Sequence, residues 1–133
     1  MKVLVEVDGG SRGNPGPAGY GCVVWSEDHA TVLAEHGHAI GVTTNNVAEY
    51  RALIAGLEAA RAFPARAVEV RGDSKLVIEQ VKGTWKVKQA HLRPLMEDVR
   101  RLLAAYERTA LVHVPREQNK DADLLVNAAL DAR

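Results

Sequence analysis

The stretch VLVEVDGGSRGNPGPAGYG, from Val3 to Gly21, constrains this chain more than any other. It begins as an apolar, β-branched run, Val3 to Val7, which reads as a buried strand. The run meets a carboxylate at Asp8, followed by a loop rich in glycine (Gly9, Gly10, Gly13, Gly16) and carrying Pro15 and Pro17. Such a loop turns tightly and leaves backbone N–H groups uncovered. An acid at a strand end beside bare backbone suits a site that holds a cation and a phosphate together. The same residues are also compatible with a plain hairpin turn carrying an incidental Asp. Glu6 shares a face with Asp8 by alternation. It is either a neighbour of that site or a partly exposed residue.

The rest of the chain alternates strand and helix patterns. Gly19 to Ser26 reads as a second strand and Thr31 to Ile40 as a third, joined by the turn Glu27-Asp28-His29 and so antiparallel. The polar segment Gly41 to Asn46 opens a helix at Val47, with Tyr50, Ile54 and Leu57 at helical spacing, and Pro64 ends the helical region. Ala65 to Gly72 is a fourth strand, followed at once by a helix through Leu76, Val77 and Val81 with Gly83 as its C-cap. Strand–helix–strand succession implies parallel neighbours. The pattern predicts a long helix over His91 to Tyr106, with Pro94 in its first turn, then a fifth strand, Thr109 to Val114. Asn119 is expected to cap a last helix with Ala122, Leu125, Val126 and Ala129 facing inward.

Four acids fall near one edge of such a sheet, where ligands gather beyond the carboxyl ends of parallel strands. Asp8 and Asp73 follow strands, Glu49 lies in the first turn of a helix, and Asp123 opens the last helix. Each has an ordinary alternative. Glu49 stands three residues after Asn46, as in a capping box. Asp73 could be an N-cap, and Asp123 could answer the helix dipole. Taken together they would repel one another unless cations bind. Oxygen-only ligands suit Mg²⁺ or Mn²⁺ rather than zinc. Two such ions, roughly 3.5–4 Å apart, would activate a water and steady the leaving oxygen of a phosphodiester.

Composition sets bounds. The chain has 133 residues, enough for one domain with a real core. One cysteine, Cys22, excludes an internal disulfide and suits a reducing compartment. No apolar run is long enough to span a bilayer, so a cytoplasmic protein is expected. Lys+Arg and Asp+Glu both number 17, a zero balance that is unusual for a nucleic-acid binder. Bound cations or segregated basic residues would have to compensate.

Four motifs appear in order: Asp8-Gly-Gly-Ser11 after a strand, Thr44-Asn45-Asn46-x-x-Glu49-Tyr50 opening a helix, Gly72-Asp73-Ser74 closing a strand, and the run from Val114 through Asn119 and Asp123 to Asn127. From about Val3 to Leu130 the chain resembles the type 1 ribonuclease H family. The resemblance implies an α/β fold: a five-stranded mixed sheet, strands one to three antiparallel and one, four and five parallel, with helices on both faces. Residues 1–133 would form a single domain of this kind, acting as a monomer. The family cuts the RNA strand of an RNA–DNA hybrid, leaving a 3′-hydroxyl and a 5′-phosphate. Asp8, Glu49, Asp73 and Asp123 match its catalytic, metal-binding acids, which hold two Mg²⁺ ions, with Mn²⁺ as a substitute. Asn14, Asn45 and Asn46 match its positions facing the RNA minor groove, Ser11 a further substrate contact, Thr44 a residue holding a DNA phosphate, and Trp85 a tryptophan that packs on a deoxyribose.

Two departures carry expectations. Many members have a long basic protrusion where this chain has only Lys82, Lys86 and Lys88, so weaker, steeply salt-dependent hybrid binding is expected. Many place a histidine in the loop before the last helix, where this chain has Pro115-Arg116-Glu117-Gln118. Arg116 is the candidate replacement, and His113 nearby is as readily structural. A DNA resolvase or exonuclease on the same fold, a non-catalytic hybrid-binding module, and the nuclease part of a larger fusion are the alternatives.

Overall fold

The computed structural model describes residues 1–132. Five strands, β1 (Lys2–Ser11), β2 (Gly16–Trp25), β3 (Val32–Thr43), β4 (Ala67–Gly72) and β5 (Arg108–His113), form one sheet in the order β3-β2-β1-β4-β5. Pairing is antiparallel from β1 to β2 and β2 to β3, and parallel from β1 to β4 and β4 to β5. Among the described residues there are four α-helices: α1 (Asn45–Ala60), α2 (Lys75–Lys82), α3 (Arg93–Leu103) and α4 (Lys120–Ala132). The mixed sheet expected from the sequence is the sheet observed.

The alternation of β1 sorts the two faces. Val3, Val5 and Val7 are fully or almost fully buried and join Cys22, Val24, Tyr50, Leu53 and Leu57 in the main core, beneath α1. Leu4, Glu6 and Asp8 point to the opposite face, where α4 buries Ala122, Val126 and Leu130. Burying each large aliphatic side chain contributes about 1.5–3 kcal/mol. Close approach on the α4 side needs Gly21, because a Cβ there would run into the Ala122 carbonyl oxygen.

Several element boundaries differ from the sequence reading, and each has a physical reason. The first strand does not stop at Asp8 but runs on to Ser11, because its antiparallel ladder with β2 continues through Gly10↔Gly19 to Ser11↔Ala18. What stops is its parallel partner: β4 ends at Gly72, opposite Val7. Asp8 therefore stands where β1 loses one neighbour. Gly9 serves close approach rather than a turn, since a Cβ there would collide with the Ala48 backbone of α1. The first helix begins at Asn45, with Thr44 Oγ1 accepting from the Val47 N–H at 3.3 Å. Asn46 is inside the helix, so the capping box with Glu49 does not form. In the same way Ser74, not Asp73, is the N-cap of α2, while Gly83 closes it with φ 88°. The long helix is shorter than expected, a 3₁₀ turn at Ala90–Leu92 leading into α3 with Pro94 in its first turn.

Candidate active site

Three elements bring three acids together. Asp8 comes from β1, Glu49 from the first half of α1, and Asp73 from the link between β4 and α2. One carboxylate oxygen from each lies within 4.8 Å of the others. Asp8 and Glu49 are each only 7% exposed. Glu49 is aimed by a bond that the capping-box reading did not foresee: its Oε1 accepts the Gly9 N–H at 3.0 Å. The close approach at Gly9 thus brings α1 near enough for Glu49 to reach the strand.

The electrostatics of this cluster are unfavourable without a cation. Burial pushes the Asp8 carboxyl far above the ordinary carboxylate range, and the Glu49 and Asp73 charges push it further. Burial also raises Glu49, with Asp73 adding to the rise and the Gly9 N–H opposing it. Among the described residues, no lysine, arginine or histidine forms an ion pair with Asp8, Glu49 or Asp73. A buried acid cluster with no protein counter-charge and only oxygen donors fits a hard divalent cation.

Asp123 does not join the group of three. It stands beside Asp8, whose carboxyl it helps to raise, and 4.0 Å from the exposed Arg116 guanidinium. His113, the last residue of β5, has Nε2 3.2 Å from the Asp73 backbone carbonyl oxygen. Asp8, Glu49, Asp73, Asp123, Arg116 and His113 all line one cleft of about 730 Å³.

The expected substrate contacts form two groups. Asn45 Oδ1 accepts from both the N–H and the hydroxyl of Ser11, at 2.8 and 3.0 Å, and the Asn45 N–H donates to Asn14 Oδ1 at 3.1 Å. Ser11, Asn14 and Asn45 therefore brace the glycine loop against the start of α1, where Thr44 is the cap. The second group lies beyond Asn46, which borders both the acid cleft and a neighbouring groove of about 540 Å³ that contains Trp85, Lys86 and Lys88. Trp85 is 42% exposed, with Lys75 Nζ 5.9 Å from its ring centre. The segment is held from below: buried Tyr50 donates its hydroxyl to Gln80 Oε1 at 2.7 Å, and Gln80 Nε2 donates to the Lys86 carbonyl at 3.5 Å.

Two residues play parts that the sequence reading did not foresee. Glu6 is 3% exposed and accepts from the Trp25 indole at 3.1 Å and the Ala122 N–H at 2.8 Å. Burial raises its carboxyl, against the pull of these two donors. A glutamate inside an otherwise apolar strand was the available signal. Asn119 is fully buried, but its side chain does not cap α4: Nδ2 donates to the Val7 carbonyl at 2.8 Å and Oδ1 has no partner.

Comparison with known proteins agrees with this architecture. The Reverse transcriptase-like family matches residues 6–129. The "Bifunctional protein Rv2228c" of Mycobacterium tuberculosis is 56% identical over 99% of this chain, but the chain spans only 36% of that protein's length. The crystal structure of RNase H1 from Halobacterium salinarum is 47% identical and superposes with a TM-score of 0.95, each chain covered in full. LC11-RNase H1, solved in complex with an RNA/DNA hybrid, is 42% identical with a TM-score of 0.91, over 98% of this chain and 97% of its own. Backbone and sequence agree over almost the whole length, and the chain belongs to the ribonuclease H type 1 family.

Proposed function

We propose that this chain is a metal-dependent endonuclease that hydrolyses the RNA strand of RNA–DNA hybrids. The observation that carries the reading is the meeting of three acids from separate elements, two of them buried, with no protein cation between them. Its support in kind is a relative solved with an RNA/DNA hybrid. Asp8, Glu49, Asp73 and Asp123 would hold two divalent ions, Mg²⁺ with Mn²⁺ as substitute. Bound there, such ions supply an activated water and charge stabilisation at the leaving oxygen. In the overall reaction, water adds its oxygen to phosphorus, the P–O3′ bond breaks, and the departing O3′ takes up a proton. One fragment carries a 5′-phosphate and the other a 3′-hydroxyl.

The chain's own residues account for strand choice. Asn14, Asn45 and Asn46 are amides that both donate and accept, as a 2′-hydroxyl partner requires. Thr44 lies at the N-terminus of α1, where a backbone phosphate is favoured, and Trp85 offers a flat face to a deoxyribose. Arg116, beside Asp123, would steady the charged phosphate. The reading includes a cytoplasmic monomer. Among the described residues, no helix is long and apolar enough to cross a membrane.

The test offers hybrid, duplex DNA and duplex RNA with Mg²⁺, Mn²⁺ or EDTA, for the wild type and Asp73→Asn. Cleavage of RNA in the hybrid alone, lost in EDTA and in the variant, is expected. Cutting of duplex DNA would replace this reading with a resolvase or exonuclease. A second reading concerns context: the name and length of the mycobacterial relative favour a nuclease unit within a longer bifunctional protein. An antibody raised to this domain would then detect a larger product in source cells. A band near 14.4 kDa would contradict it.

A further inference from the structure

Helix α4 is fastened in a different way from the other helices around the site. The first turns of α1 and α2 are capped locally, by Thr44 and Ser74. The first N–H groups of a helix need such partners. In α4 the adjacent Asn119 does not serve, because its amide is used on the Val7 carbonyl and its Oδ1 is unpartnered. The partner comes instead from the far end of the chain. Glu6 Oε2 accepts the Ala122 N–H across a sequence separation of 116 residues, while Oε1 is held by the Trp25 indole. Both partners are donors, so each oxygen of the carboxylate is used.

Ala122 is thereby held on two sides. Its N–H is bonded to Glu6, and its carbonyl oxygen sits in the space that the missing Cβ of Gly21 leaves. The next residue is Asp123, whose own N–H bonds back to the Asn119 carbonyl at 3.2 Å. Glu6 in turn is two residues from Asp8 on β1, where Glu6 is paired on both sides and Asp8 on one. One strand therefore carries Asp8 directly and Asp123 through a buried bond.

We propose that Glu6 is a positioning residue for Asp123: its carboxylate, locked by Trp25, seats the first turn of α4 so that Asp123 stands beside Asp8. The proposal rests on the reading that Asp123 takes part in metal-dependent hydrolysis. Partners of this kind, which orient a ligand side chain without touching the ion, typically change affinity or activity by about 10–100-fold.

Glu6→Gln is the direct test, because it keeps the shape but turns an NH₂ group toward an N–H. The expected result is a fall in kcat of about 10–100-fold with KM for the hybrid unchanged. Amide hydrogen exchange should quicken at residues 120–123 and stay as in the wild type in β4 and β5. In an Asp123→Asn background, assayed with Mn²⁺, Glu6→Gln should cause no further loss. Should Glu6→Gln fail to fold, Glu6→Asp, one methylene shorter, withdraws the carboxylate from Ala122 and carries the same expectations. An unchanged kcat with a lowered melting point would overturn the proposal, leaving Glu6 a purely structural residue. So would losses that multiply in the double variant. Failure of the wild type to cut hybrid at all would instead strike the functional reading beneath it.

Discussion

Glu6 and Asp8 are both acids on β1, two residues apart, on the same face and almost equally buried at 3% and 7% exposure. Their surroundings are opposite. Glu6 faces two N–H donors, one from an indole and one from a helix terminus. Asp8 faces Glu49, Asp73 and Asp123. Burial alone therefore does not separate a structural acid from a chemical one. The separating feature is whether the protein itself supplies the complement to the charge. Glu6 has a donor from the fold on each carboxylate oxygen, while Asp8 faces three other acids and forms no ion pair among the described residues.

The largest test of that contrast is catalytic. Asp73→Asn should lower kcat by about 10²–10³-fold, the loss typical when one charge-stabilising group is removed, with little change in melting point. Steady-state cleavage of a hybrid beside a thermal melt measures both. The next effect runs the other way. Glu6→Gln should lower stability by about 1.5–3 kcal/mol, the contribution of hydrogen bonds to a charged group, and should do so in EDTA as well as in Mg²⁺. A loss of stability that Mg²⁺ repairs would erase the distinction between the two acids.

A smaller effect tests the mutual repulsion of the acids when metal is withheld. The folded chain raises Asp8 from 3.8 to about 10 and Glu49 from 4.5 to about 8. A carboxyl that keeps its proton to higher pH when folded stabilises the fold most at low pH, and that contribution is lost as pH rises through the folded value. In EDTA, Asp8→Asn should therefore melt above the wild type at neutral pH, by about 3–5 °C for a domain of this size. The gap should close toward pH 4 and also on adding Mg²⁺ to the wild type. Melting curves across pH with and without metal decide it. The smallest effect lies outside the cluster. Lys86→Ala should reduce the slope of log affinity against log salt for the hybrid by about one, as measured by titration at several salt concentrations.

The same contrast explains what the sequence made legible. The strands, the antiparallel turn, the parallel pairing and the gathering of residues 8, 49 and 73 at one edge are legible in local patterns, while the complete mixed sheet is what the family resemblance implies. Glu6 stands out as an acid in an apolar strand, but its role was not legible, because its two partners lie 19 and 116 residues away. No local pattern reports a contact at that distance. Boundaries failed for a related reason. Propensity marks Gly9 and Gly10 as a turn, but the ladder to β2 and the approach of α1 hold them in the strand. Asn46 and Asp73 looked like caps because their types favour that role, yet Thr44 and Ser74, one or two residues away, take it. The residues released from capping belong to the cleft or its border.

The central claim is that Asp8, Glu49 and Asp73 meet in order to share a divalent ion. Anomalous scattering from a crystal grown or soaked with Mn²⁺ tests it most directly. The account predicts an anomalous peak about 2.0–2.2 Å from carboxylate oxygens of these residues, absent in Asp73→Asn crystals. A wild-type crystal at saturating Mn²⁺ with no peak in the cluster would contradict it.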